Sequence, residues 1–411
     1  MNIGIITSSF PSNPGDVAQA PFLIPFIRGL QNRGHRVFVF TQDRPGAKEE
    51  FPAGVHVTWF PWLKSPKALV RLNPFHPLDG LRIGTLLFSG KRALVPFVRK
   101  HQIDACLALW VLPSGYFACY AQQKTGVPYS VWALGSDIYK HGQNPLLRPI
   151  MGRIIGEAKG VFADGFEIAR RIEERFGRKC LFLATTRNIL PPPPLGKWDR
   201  RGSPNEAYRF LFVGRLEKVK GIDILLQSME LLTGEESSAR LTIVGKGTME
   251  EWARLSVNKE GVRERVTFTG QVSDEELASL YASSDCVIIP SRSESIPLVF
   301  SEALRFNKAL IVTDVGDMGT LGRNYGVATV VPPADPRALK EAMKGRIDRR
   351  GAIPGPGEEA SRQALVRLFD IETSVERFLA DYPEPQKVAP HPRIDYGAGS
   401  FPLPPGERGS G

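Results

Sequence analysis

Two doubly wound α/β domains joined by a proline-rich connector are the architecture this sequence predicts. Three observations carry that expectation. The 411 residues exceed what one ordinary core organises. Short apolar runs alternate with helical stretches in both halves, and Pro191-Pro192-Pro193-Pro194 interrupts the pattern midway. In the first half the predicted strands are 4–7, 37–41, 105–109, 130–134 and 161–163; in the second they are 210–213, 241–244, 266–269, 287–289 and 309–313. Runs apolar enough to be buried on both faces, separated by helices, are the pattern of a parallel sheet. Consecutive prolines join neither sheet nor helix, so 191–205 is expected to be a semi-rigid linker between an N-terminal domain, 1–190, and a C-terminal one, 206–370. Two such Rossmann-like domains facing a cleft would hold a ligand at the C-terminal ends of both sheets. Helical composition continues through 358–381, and the Pro- and Gly-rich stretch 384–411 is expected to be a disordered tail.

Hydrophobic residues make up 42% of the chain and charged ones 23%, a globular composition. Cys106, Cys119, Cys180 and Cys286 show no metal-ligand spacing, and they read as small core residues in a reducing compartment. Residues 2–7 already read as a first strand, no signal peptide is expected before them, and no apolar run reaches the length of a spanning helix. The expected location is cytoplasmic.

The net charge of +10 is uneven: residues 1–205 carry 27 Lys and Arg against 13 Asp and Glu, the remainder 26 against 30. The first half therefore suits an anionic partner. Within 61–100, Lys64, Lys67, Arg71, Arg82, Lys91, Arg92, Arg99 and Lys100 interleave with Trp62, Leu69, Phe75, Leu86, Leu87 and Phe97, and Asp79 is the sole acid. That pattern fits docking to an anionic membrane surface, and equally a solvated basic face on ordinary helices. No nucleic-acid reading motif accompanies the charges, so nucleic acid is not an expected partner.

The chemistry concentrates in the second half. Gly214 closes a predicted strand and Gly221 precedes a predicted helix, which puts Arg215 and Lys220 on a strand-to-helix loop that taken alone reads as an ordinary basic loop. A fork-shaped guanidinium and a point-charge ammonium suit a diphosphate leaving group that gains charge as its bond breaks. A second glycine turn, Val244-Gly245-Lys246-Gly247, follows the next strand. After 287–289 comes a segment containing Glu294, Pro297, Leu298, Val299 and Glu302. Pro297 fits a first helical turn, where free backbone N–H groups form an anion site. A carboxylate facing phosphate would be repelled, so Glu294 and Glu302 suit sugar and ribose hydroxyls instead. In the first half, Gly15 in a turn after the first strand allows close backbone approach. Asp137 after 130–134 reads either as a ligand contact or as a helix N-cap.

The GRLxxxKG segment at 214–221, the glycine turn at 245, Phe268-Thr269-Gly270-Gln271-Val272, and two glutamates with seven residues between them resemble the donor domain of retaining family-4 glycosyltransferases. The resemblance spans essentially 1–383 and implies the GT-B fold. It implies that Arg215 and Lys220 bind the diphosphate, that Glu294 contacts the donor sugar and Glu302 the ribose, and that residues around Val272 line the base pocket. Gly214 and Gly245 would border that site, and Pro297, Leu298 and Val299 would open the helix beside it. The resemblance further implies that Gly15 faces donor phosphate and acceptor, that Asp137 lies close to sugar or acceptor, and that a final helix, 371–383, crosses back to the first domain. It points to front-face transfer with no side-chain nucleophile and no metal. Two departures stand out: Leu134 where many relatives carry His, and Thr313-Asp314-Val315-Gly316-Asp317 where relatives commonly run VGGxPE.

The expected activity is transfer of a sugar from a nucleotide diphosphate sugar, with retention, to a glycan or lipid-linked acceptor such as an envelope polysaccharide. A non-catalytic nucleotide-sugar-binding protein and another activity on the same fold, such as sugar-nucleotide epimerisation, remain the alternatives.

Overall fold

The computed structural model describes residues 1–12, 20–44, 50–51, 54–65, 69, 72–135, 137–142, 144–187, 189, 207–233, 239–257, 261–350 and 356–382. Gly15, the linker 191–205 and the tail 384–411 lie outside the described residues. The chain divides into two compact units, Met1–Thr185 with the described part of Asp370–Ser400, and Thr186–Phe369.

The first unit is built on β1 (Asn2–Ile6), α1 (Leu23–Asn32), β2 (Arg36–Gln42), β3 (Glu50–Phe51), β4 (Val55–Phe60), α2 (Pro77–Lys100), β5 (Ala105–Leu109), α3 (Tyr116–Thr125), β6 (Tyr129–Ala133), α4 (Arg148–Glu157), β7 (Val161–Ala163), α5 (Phe166–Phe176) and β8 (Leu181–Phe182). Its sheet runs β3-β4-β2-β1-β5-β6-β7-β8, parallel except for the edge strand β3. β5 and β6 are buried along their whole length, as strands covered by helices on both faces must be. α5 shows how a covering helix is specified. Phe166, Ile168, Ala169 and Ile172 face inward, Arg170 and Glu174 pair outward, and Gly177 at φ 64 ends the helix.

The second unit comprises β9 (Tyr208–Val213), α6 (Ile222–Thr233), β10 (Ala239–Val244), α7 (Glu250–Ser256), β11 (Val266–Gly270), α8 (Asp274–Ser283), β12 (Cys286–Ile289), α9 (Leu298–Arg305), β13 (Ala309–Thr313), α10 (Met318–Asn324), β14 (Thr329–Val331), α11 (Pro336–Asp348) and α12 (Pro356–Leu368). Its all-parallel sheet has the order β11-β10-β9-β12-β13-β14. Counted from its own first strand this is 3-2-1-4-5-6, which reverses direction between β9 and β12 and opens a crevice at their C-terminal ends.

The helical stretch 358–381 is two helices, because Asp370 stops the first and caps the second. Its carboxylate accepts the Glu372 and Thr373 N–H groups at 3.0 and 3.4 Å, starting α13 (Ile371–Ala380). α13 packs within the first unit. Phe378 meets Phe26 with ring centroids 5.9 Å apart, and Ser374 Oγ donates to the Ala184 carbonyl at 3.1 Å. Gly29 of α1 lets the two helices approach, since a Cβ there would strike Val375. Beyond it, Tyr382 and Ser130 share a buried hydroxyl contact of 2.7 Å.

Ten predicted strands are present with small shifts of boundary, and four further strands, β3, β4, β8 and β14, escaped the sequence reading. All four cysteines are buried and free; burial pushes the Cys106 thiol up to about 12. Among the described residues no helix is long and apolar enough to cross a membrane.

Candidate active site

Glycine turns build the crevice of the second unit. After β9 the chain passes Gly214 and Arg215, makes a short 3₁₀ turn over Lys218–Lys220, and reaches Gly221 at φ 72. A side chain on Gly221 would fall on the Pro290 carbonyl oxygen, so only glycine lets this loop close against the end of β12. The next turn is locked to the first by backbone bonds: Gly214 N–H to the Val244 carbonyl at 3.0 Å, and Leu216 N–H to Lys246 at 2.9 Å. Gly245, at φ 130, abuts the Gly214 carbonyl. The glycines thus bring neighbouring backbones together.

Lys220 and Glu294, 74 residues apart in sequence, meet in the crevice as a hydrogen-bonded ion pair with both side chains mostly buried. Ser291 Oγ also donates to Glu294, at 3.3 Å. Arg215 is exposed, and no described residue pairs with it. The loop carrying Glu294 is fixed from two sides. Arg292 grips Asp223 of α6 bidentately at 2.6 and 2.7 Å and donates to the Lys218 carbonyl at 2.6 Å. Burial would raise the Asp223 carboxyl, but that fork outweighs it and holds the group below its usual range. Thr313 Oγ1 donates to the Ser291 carbonyl at 2.6 Å, and Gly316 lies against the Glu294 carbonyl, where a Cβ would collide.

Pro297 is the cap of α9 and not a residue of its first turn: its ψ of 149° is extended. A proline ring orders the entry to the helix but offers no side-chain acceptor, so the N–H groups of Leu298 and Val299 open the helix without a side-chain cap. Glu302, one turn on, is buried inside the unit. Its Oε2 accepts the Tyr281 hydroxyl at 2.6 Å, and its buried Oε1 has no partner among the described residues. Burial raises the Glu302 carboxyl despite that bond and the fields of Arg187 and Arg305. Val272 lies half-buried on the loop between β11 and α8, just before the Ser273–Glu276 capping box.

In the first unit, Asp137 is 1% exposed and its carboxylate is spent on backbone. Oδ2 accepts the Val111 N–H at 2.7 Å and Oδ1 the Ile138 N–H at 3.1 Å. Burial pushes this carboxyl up to about 6, against the opposing pull of those N–H groups. The sequence reading grouped Asp137 with the reacting residues. Its geometry is that of a positioning residue, because no free oxygen faces outward. It ties the loop after β6 to the loop after β5, where Trp110 is held at φ 70, a region that L-residues rarely enter. Sequence reasoning missed Tyr281, Arg292 and Asp223, which hold the site residues without carrying a motif of their own.

The chain matches "Glycosyl transferases group 1" over residues 198–350 and "Glycosyl transferase 4-like domain" over residues 25–180. It is 30% identical over 376 residues to D-inositol 3-phosphate glycosyltransferase 2 of Catenulispora acidiphila, covering 84% of each chain. The chain belongs to the group 1 glycosyltransferases. Another relative, glycogen synthase of Mycobacterium tuberculosis, is 27% identical over 222 residues, 54% of this chain and 53% of its own, so the chain spans about half the length of that relative. In structure, this glycosyltransferase is similar to HepE of Anabaena, solved in complex with UDP-glucose, with a TM-score of 0.67 at 15% identity over 93% of this chain and 99% of that one. The likeness establishes the GT-B fold, two Rossmann-like parallel-sheet domains.

Proposed function

We propose that this glycosyltransferase moves a sugar from a nucleoside diphosphate sugar to an acceptor with retention of configuration and without a metal ion. The observation that carries the reading is the Lys220–Glu294 pair at the strand-order reversal, with exposed Arg215 and the open N-terminus of α9 on the same edge of the sheet. A diphosphate arriving there draws the Lys220 ammonium and the Arg215 guanidinium, and the Leu298 and Val299 N–H groups add donors to its oxygens. Glu294, released from sole pairing with Lys220, accepts hydrogen bonds from the sugar. The ribose contact expected of Glu302 requires its buried Oε1 to be uncovered when the nucleotide binds, with Val272 beside the base. As the glycosidic bond breaks, negative charge grows on the diphosphate between two fixed cations. That is the role a divalent ion fills elsewhere. No group of three or more metal-ligating side chains occurs among the described residues. HepE, solved with UDP-glucose, supports a nucleotide sugar as donor. A glycan or lipid-linked acceptor and a cytoplasmic site of action complete the reading.

The test measures nucleoside diphosphate release from a panel of UDP-, GDP- and ADP-sugars by wild type and by Arg215→Ala/Lys220→Ala, with and without EDTA. Release from one donor that survives chelation and disappears in the double variant is the expected result. Release that needs a divalent ion removes the metal-free step. Neither release nor binding of any nucleoside diphosphate sinks the transferase reading.

A further inference from the structure

Of the apolar residues that the sequence reading of 61–100 paired with its basic ones, the fold claims all but Phe75. Leu86 and Phe97 are buried in the core, and Trp62 and Leu87 pack against it. The outward face of α2 is made by other residues. Leu78, Leu81 and Phe88 follow at intervals of three and seven, one side of a helix, and are 46, 57 and 68% exposed. Phe75, 83% exposed, precedes the helix. Leu63 joins them from the strand side, because its N–H donates to Thr85 Oγ1 at 3.1 Å, between Leu81 and Phe88 on the helix. The same face continues into Arg92 and Arg99, both exposed, with Lys100 beside them. Asp79, the one acid on α2, is buried and paired with Arg82 at 3.1 Å. A helix apolar outward over its first half and cationic over its second is uncommon on a surface that meets only water.

We propose that this face of α2 docks on an anionic lipid bilayer, with Phe75, Leu78, Leu81 and Phe88 entering the headgroup–acyl boundary and Arg92, Arg99 and Lys100 on the lipid phosphates. The charge decides against a second protein copy as occupant, since two such faces would bring like charges together. The apolar stripe alone is too short to anchor a protein, and the cations alone would be screened by salt. Together they give the two signals that stable interfacial binding needs. The surface holds the enzyme on a membrane whatever its acceptor, so it stands apart from the donor chemistry.

Flotation of the full chain with vesicles of phosphatidylglycerol and phosphatidylcholine, and of phosphatidylcholine alone, tests this at low ionic strength. Binding is expected to the anionic vesicles only, and to fall at least about tenfold in Leu81→Ser/Phe88→Ser and in Arg92→Glu/Arg99→Glu. Trp252→Ser/Leu255→Ser, exposed apolar residues of the second unit, should bind as wild type does. Absence of flotation, or equal binding by the Leu81/Phe88 variant, overturns the proposal. So does a dimer seen by light scattering that the same variant dissolves. Donor-sugar release, measured without vesicles, is unaffected by either result.

Discussion

Removing one oxygen atom, in Tyr281→Phe, exposes how the candidate ribose carboxylate is held. The ring stays: Tyr281 stacks on Phe306 with centroids 5.0 Å apart, so the apolar burial of the site is unchanged. Only the 2.6 Å hydrogen bond to Glu302 Oε2 disappears, leaving a buried carboxylate with neither oxygen paired within the described residues. A bond to a charged acceptor is worth about 1.5–3 kcal/mol, more than a neutral one. The pH dependence follows from the direction of the shift. The Glu302 carboxyl is already raised in the folded state, so its favourable contribution is complete below the unfolded carboxylate range and is lost as pH rises through the folded value. The tyrosine hydroxyl favours the charged form, and its removal raises the carboxyl further. The penalty should therefore be largest, about 2–3 kcal/mol, where the folded carboxylate is charged, and should shrink as pH falls through its raised folded value. Because the protein has two units, a single global melt does not report this. Hydrogen exchange of peptides from α8 and α9 does. A penalty that does not shrink as pH falls, or one that stays below about 0.5 kcal/mol throughout, refutes this account of Glu302.

Three further outcomes are expected. Asp137, pushed up to about 6, should make the first unit lose about 2 kcal/mol as pH rises from 4 to 7; Asp137→Asn should remove that slope in hydrogen exchange of residues 111–115 and 137–141. In Gly221→Ala the left-handed backbone alone costs about 1–2 kcal/mol, and the clash with Pro290 adds to it; titration calorimetry should find nucleoside diphosphate binding lost while β1–β8 keep their exchange protection. Arg292→Lys keeps the charge but not the fork on Asp223, so nucleoside diphosphate affinity should fall about tenfold, with the Asp223 carboxyl rising towards its usual range by NMR titration.

The readable parts of this chain are those whose cause is local. Strands such as β5, apolar at every position, and loops whose glycines mark close approach can be recognised from a few neighbours in sequence. β4 was missed because His56 and Thr58 break its apolar run, leaving Val55 and Val57 inward on alternate positions; β8 and β14 are too short to carry any period. At the site, Lys220 and Glu294 could be named but their contact could not, and the residues that hold them are distant in the chain. Arg292 reaches Asp223 across 69 residues, Tyr281 reaches Glu302 from another helix, and Asp137 reaches Val111 from the loop after another strand. A carboxylate after a strand reads the same whether it aims at a ligand or at a neighbouring loop, and topology alone decides which. α2 is the sharpest case. It is apolar on both faces, so no helical phase could be assigned from sequence: of the residues first chosen for a membrane, Leu86 and Phe97 are core, whereas Phe75 is exposed. Once the sheet and α3 claim Leu86, Leu94 and Phe97, the opposite stripe of Leu78, Leu81 and Phe88 is left exposed among the described residues. The bilayer docking proposed for this stripe accounts for its exposure and for the cations that continue it.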